Sequence, residues 1–88
     1  MNLIEKKKLK AQAHLLKPVV MIGHSGLTPA VMKEINLAMD THELIKIKIR
    51  AERDDRSLIR TQICAETTAE LIQSIGQVAV FFRKNPKK

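Results

Sequence analysis

The sequence predicts a small α/β domain, ordered α-β-α-β-α-β-β, with a four-stranded mixed sheet. Three observations lead there. Ile45-Lys46-Ile47-Lys48-Ile49-Arg50 alternates apolar and cationic residues at the period of a strand. Three other stretches repeat apolar residues at helical spacing, and two of them carry helix start signals. Leu71-Ile72-Gln73-Ser74-Ile75 and Val78-Ala79-Val80-Phe81-Phe82 flank Gly76-Gln77, which reads as a tight hairpin whose turn begins with Gly.

Taken in order, a first helix is expected over residues 3–16, with Leu9, Ala13 and Leu16 at helical spacing among lysines. Pro18 ends it, because the residue before a proline is steered away from helical geometry. A short apolar strand over 18–22 runs into Gly23-His24-Ser25-Gly26. Thr28-Pro29 then starts a second helix reaching His42: Thr caps well, and Pro at the first helical position lacks an N–H that would have no partner anyway. Val31, Ile35, Ala38, Met39 and His42 form its apolar stripe, and Lys33 and Glu34 turn to water. The alternating strand 45–50 requires one dry face and one wet face, which argues against a helix lying over its lysines. Asp54 or Asp55 is expected to cap a third helix over 56–68, with Ile59 and Ile63 facing inward. In the last strand one of Phe81 and Phe82 faces the core, and the other is left available to stack on a base. The strand–helix–strand units are expected to cross over right-handedly.

Composition narrows the function. A chain of 88 residues is read as one domain over 1–88, with a basic tail over 84–88. Its net charge is +7, with five lysines against one Glu in residues 1–17 and four cations without an acid in 83–88. Clustered positive charge points to a polyanionic partner. The bland alternative is a pair of solubilising ends. No apolar run is long enough to cross a membrane, and the basic N-terminus lacks the apolar core of a secretory signal. The single cysteine, Cys64, rules out an internal disulfide and suits a reducing compartment, so a cytoplasmic protein is expected.

The loop is the feature with chemistry in it. Glycines permit positive φ and leave room for an approaching backbone, and amides near a helix N-terminus attract phosphate. Gly23, His24, Ser25 and Gly26 are therefore candidate phosphate contacts, made through amides, hydroxyl and imidazole because the loop holds neither Lys nor Arg. His24, in an exposed loop, gains charge in mildly acidic conditions and would then grip a phosphate more firmly. Lys46, Lys48 and Arg50 form a ladder with about 6.6–7 Å between successive heads, comparable to the phosphate spacing of a nucleic-acid strand. Lys17, Lys33, Arg83 and Lys84 are further candidates by their nearness to the loop or the hairpin exit. The competing readings are a tight strand-to-helix turn and a charged strand face that discourages aggregation.

Enzymatic readings fail on spacing. Gly-His-Ser-Gly is one residue short of a nucleophile elbow, and the loop lacks the Gly-Lys-Ser/Thr ending of a P-loop. His14, His24 and His42 have no metal-ligand spacing, and one Cys cannot build a zinc site. His14 and His42 read as helix residues at the rim of the core. No cofactor, metal or small-molecule substrate is implied.

The run from Leu15 to Thr28 (LLKPVVMIGHSGLT), with His42-Glu43-Leu44-Ile45-Lys46-Ile47-Lys48 and Ile75-Gly76-Gln77-Val78-Ala79-Val80-Phe81-Phe82-Arg83 downstream, resembles the CRM domain of chloroplast RNA splicing and ribosome maturation. The likeness extends to the stand-alone bacterial YhbY-type members. The resemblance implies a fold akin to the C-terminal domain of bacterial translation initiation factor three. It also implies RNA binding through the Gly-x-x-Gly loop and neighbouring basic surface, and association with precursors of the large ribosomal subunit. The expectation is thus a monomeric, non-enzymatic RNA-binding protein acting on ribosomal RNA. Without Tyr or Trp to stack bases, it should read backbone and shape more than sequence. Six neutralised phosphates would cost it roughly a thousandfold in affinity between 50 and 200 mM salt. The alternative is a basic protein–protein interaction module that meets an acidic partner.

Overall fold

The computed structural model describes residues 2–85, so the last three residues of the expected basic tail lie outside it. Seven elements follow the expected order: α1 (Leu3–Ala13), β1 (Val20–Ile22), α2 (Pro29–His42), β2 (Leu44–Ile49), α3 (Arg53–Thr67), β3 (Glu70–Ile75) and β4 (Val78–Phe82). The strands lie side by side as β1-β2-β4-β3. β1 runs parallel to β2 and the other neighbours are antiparallel, which makes the sheet mixed. β4 sits between β2 and β3, so the strands flanking α3 are not neighbours.

The alternation in β2 decides which side of the sheet is dry. Ile45, Ile47 and Ile49 are buried with Val20, Ile22, Ala79 and Phe81 beneath Ile35 and Met39 of α2 and Ile63 of α3. Each fully buried aliphatic side chain contributes about 1.5–3 kcal/mol. The opposite face departs from expectation. Leu9 and Ala13 of α1 pack there on Ile72, Val80, Leu44 and Phe82. A helix therefore does cover part of the lysine-bearing face of β2. Two apolar residues of α1 suffice because β4 offers Val80 and Phe82 on that side. The same packing removes Phe82 as a free base-stacking group, since both phenylalanines serve the interior.

Element ends differ for local reasons. α1 stops at Ala13: His14 N–H still reaches four back to Lys10 O, but Leu15 N–H to Gln12 O and Leu16 N–H to Ala13 O reach only three back. That tightening is a common way for a helix to end, and it leaves Leu16 outside the helix. β1 is shorter than expected, although Val19 N–H still donates to Lys46 O. α2 begins as expected, with Thr28 Oγ1 accepting from Val31 N–H at 3.2 Å. α3 starts earlier than expected, with Glu52 at its cap position and no side-chain capping bond. Asp54 and Asp55 instead occupy the first turn, where their charges oppose the helix dipole. Gly76 turns the hairpin with φ +55°. The register slips between Leu71 and Gln73, a bulge that aims Ile72 at α1.

Candidate nucleic-acid interface

β1 delivers Ile22 into the core, and the chain must then reverse into α2. Gly26 makes the reversal with φ +67°, a region that side chains disfavour. Its N–H donates to Gly23 O at 3.1 Å, and Thr28 N–H donates to Gly26 O at 3.1 Å. Turn and helix cap are thus one hydrogen-bonded unit. A Cβ built on Gly23 or Gly26 would meet no atom within 4 Å, so the space above both glycines is open. Among the described residues, the N–H groups of Gly23, His24, Ser25 and Leu27 have no acceptor. They sit just before the N-terminus of α2, where the helix dipole is positive.

Two backbone bonds bring basic residues to this loop. Arg50 N–H donates to Ile22 O at 2.9 Å, and Ile49 N–H donates to Gln77 O at 2.6 Å. The end of β2 is thereby fixed beside both the loop and the hairpin turn. Gly23, His24 and Gly26 share a cleft of about 880 Å³ with Lys48 and Arg50, and the first turns of α3 close its far side with Glu52, Asp55, Leu58 and Ile59. Among the described residues neither Lys48 nor Arg50 forms an ion pair. Both are available to a ligand anion.

The remaining candidates separate. Lys46 lies on the same side of β2 as Lys48 but under the end of α1, and it shares a hollow of about 400 Å³ with Lys17 and Val19. Lys17, Lys46, Lys48 and Arg50 make a track that leads into the cleft. Lys33 lies between α2 and α3, in a depression with Thr28, Gln62 and Glu66. Lys84 is exposed near the far end of α2. Arg83 is already occupied. Its guanidinium donates to Asn36 Oδ1 at 2.8 Å, Thr67 O at 3.0 Å, Asn36 O at 3.3 Å and Asp40 Oδ1 at 2.9 Å. Five donors in a rigid fork suit such a junction, and a side chain so engaged is a structural clamp.

Ser25 is exposed and His24 lines the cleft; neither has a hydrogen-bond partner among the described residues. His14 and His42 are exposed, not seated at the core rim as expected. Burial pushes the Cys64 thiol up from its ordinary range, with a smaller push from the Glu70 charge and a hydrogen bond at the Leu71 backbone opposing both. That is the opposite of what a nucleophile needs. No group of three or more metal-ligating side chains gathers among the described residues. No helix there is long and apolar enough to cross a membrane.

Asp55 and Leu58 were not foreseen as part of the site. Their signal was present: Leu58 is an apolar residue off the Ile59–Ile63 stripe, and Asp55 lies three residues before it, on the same side of the helix.

Comparison with known proteins identifies the family and the fold. The family described as CRS1 / YhbY (CRM) domain matches residues 1–83. A Pseudomonas aeruginosa protein named "Probable RNA-binding protein PA4753" is 46% identical over 84 residues, covering 94% of this chain and 81% of its own. A Haemophilus influenzae RNA-binding protein is 46% identical over 80 residues, covering 90% of this chain and 81% of its own. Among solved structures, Staphylococcus aureus SAV1595, whose suggested role is RNA binding, superposes with a TM-score of 0.81 at 29% identity. That match covers 92% of this chain and 85% of the other.

Proposed function

Since the chain belongs to the CRS1 / YhbY (CRM) domain family, we propose that it binds RNA in the cleft between the Gly-x-x-Gly loop and the end of β2. The RNA is ribosomal, on precursors of the large subunit, and the protein works in the cytoplasm as a monomeric assembly placeholder that turns over no substrate. One observation carries this reading most: an open loop with four unclaimed N–H groups lies at a helix N-terminus beside two cations without an ion pair, Lys48 and Arg50. Each part attracts phosphate, and together they provide both directional donors and net charge. The RNA-binding names of the relatives at 46% identity support the same partner.

In this reading a phosphate sits on the loop amides, with Gly23 admitting the backbone and Ser25 and His24 adding donors. Lys48 and Arg50 neutralise neighbouring phosphates, and Lys46 and Lys17 extend the track. Lys33 and Lys84 add long-range attraction without touching a phosphate.

Filter binding to ribosomal RNA fragments tests the grip. Gly23→Asp should abolish binding while the thermal melt stays in place, because it puts a carboxylate where the phosphate would lie. Lys48→Ala should weaken binding evenly across sequences and lower the salt slope by about 1. Unchanged affinity in both variants rejects the grip. In-cell crosslinking with sequencing of the attached RNA tests the ribosomal assignment, and cosedimentation with large-subunit precursors tests the assembly role. Complexes from extract that survive RNase would favour an acidic protein partner instead.

A further inference from the structure

The cleft has more chemistry than a phosphate site requires. Asp55, Leu58 and Ile59 stand at i, i+3 and i+4 on α3, so they share one face of the helix, and all three line the cleft. Leu58 is 69% exposed, a large apolar side chain left in water beside a cationic surface. Asp55 is a carboxylate in a cleft that is otherwise suited to anions. A second carboxylate, Glu52, lies at the helix cap, and His24, Lys48 and Arg50 are the other charged or titratable groups there. Acids and cations form no ion pair across the cleft among the described residues, so the two sides stay chemically distinct.

Resting on the RNA-binding reading above, we propose that the Asp55–Leu58–Ile59 face of α3 is a nucleobase subsite selecting bases that carry an exocyclic amine. With the phosphate held at the loop, Lys48 and Arg50, one unstacked base lies flat on Leu58 and turns its edge to Asp55. An ionised carboxylate only accepts hydrogen bonds, so it takes one from the N4 amine of cytosine or the N6 amine of adenine. Uracil presents its O4 carbonyl oxygen where cytosine has the N4 amine, and a carboxylate set against that position meets a second acceptor with no proton between them. A nucleotide contains both kinds of surface that the cleft offers, anionic at the phosphate and apolar with polar edges at the base. Clefts of this volume suit a ligand of nucleotide size. The carboxylate that a phosphate site alone would disfavour then has a partner.

The test compares short oligocytidylate with oligouridylate, two pyrimidine strands of equal charge. The unaltered protein should prefer the cytidylate by at least about fivefold, the low end of what one base contact is worth. Asp55→Asn should bring that ratio close to one, because an amide can donate to uracil as well as accept from cytosine. Leu58→Ser should weaken both strands alike and leave the salt slope unchanged. Both side chains are exposed, so thermal melts of the variants should match the parent closely enough to exclude unfolding. Equal, salt-sensitive binding of both strands by the unaltered protein overturns the base subsite and leaves the phosphate grip standing. A cytidylate preference that survives Asp55→Asn overturns it too. If the protein binds no RNA of any sequence, both readings fall together.

Discussion

Gly23 and Gly26 look alike in the sequence and do different work. Gly26 is needed by the fold, because its φ of +67° disfavours any Cβ. Gly23 has no such constraint, and a methyl group there would meet nothing in the protein. Gly26→Ala should therefore destabilise the domain by about 1–2 kcal/mol in chemical denaturation. Gly23→Ala should change stability by less than about 0.5 kcal/mol yet weaken RNA binding, since the methyl intrudes on the ligand's space. Equal stability losses in the two variants would mean that the pair is only a turn. The sequence marked both glycines as candidates but could not rank them. Backbone torsion is set by how β1 and α2 dock on the sheet, which no local pattern encodes.

Among the elements, those with one strong period were readable and those placed by tertiary contact were not. The isoleucines of β2, the Thr28–Pro29 start of α2 and the Gly76 hairpin all took the positions that their local chemistry dictates. The cover of α1 was hidden because its inner face consists of Leu9 and Ala13 alone, and what they meet is contributed by β4. The bulge at Ile72 was hidden because alternation cannot show a slipped register. The engagement of Arg83 was hidden for the same reason: a cation at a strand exit looks free in the sequence until α2 and α3 converge on it. It joins the end of β4 to Asn36 and Asp40 of α2 and to the last carbonyl of α3. Most of its value lies in the hydrogen bonds, as the Asp40 carboxylate is 65% exposed and an ion pair in water contributes little. Arg83→Ala should cost about 1–3 kcal/mol in thermal or urea unfolding and leave RNA affinity unchanged. A loss of affinity without a loss of stability would return Arg83 to the interface.

At the scale of the whole molecule, a net charge of +7 overstates what one ligand can meet. Lys17 and Lys46 share one hollow and Lys48 and Arg50 line the cleft, four cations following β2, whereas Lys33, Lys84 and Arg83 lie elsewhere. With four phosphate contacts in place of six, affinity should fall by roughly 50- to 150-fold between 50 and 200 mM salt. A titration near a thousandfold would require cations outside the track. The clamp at Arg83 has a practical consequence for such measurements. It holds the chain's exit at the C-terminal end of α2, where Asn85 N–H also bonds Glu43 Oε2. The loop lies at the other end of that 14-residue helix, about 20 Å away. A tether attached beyond Asn85 would present the cleft outward from a sensor chip, whereas amine-directed coupling would consume the lysines under study.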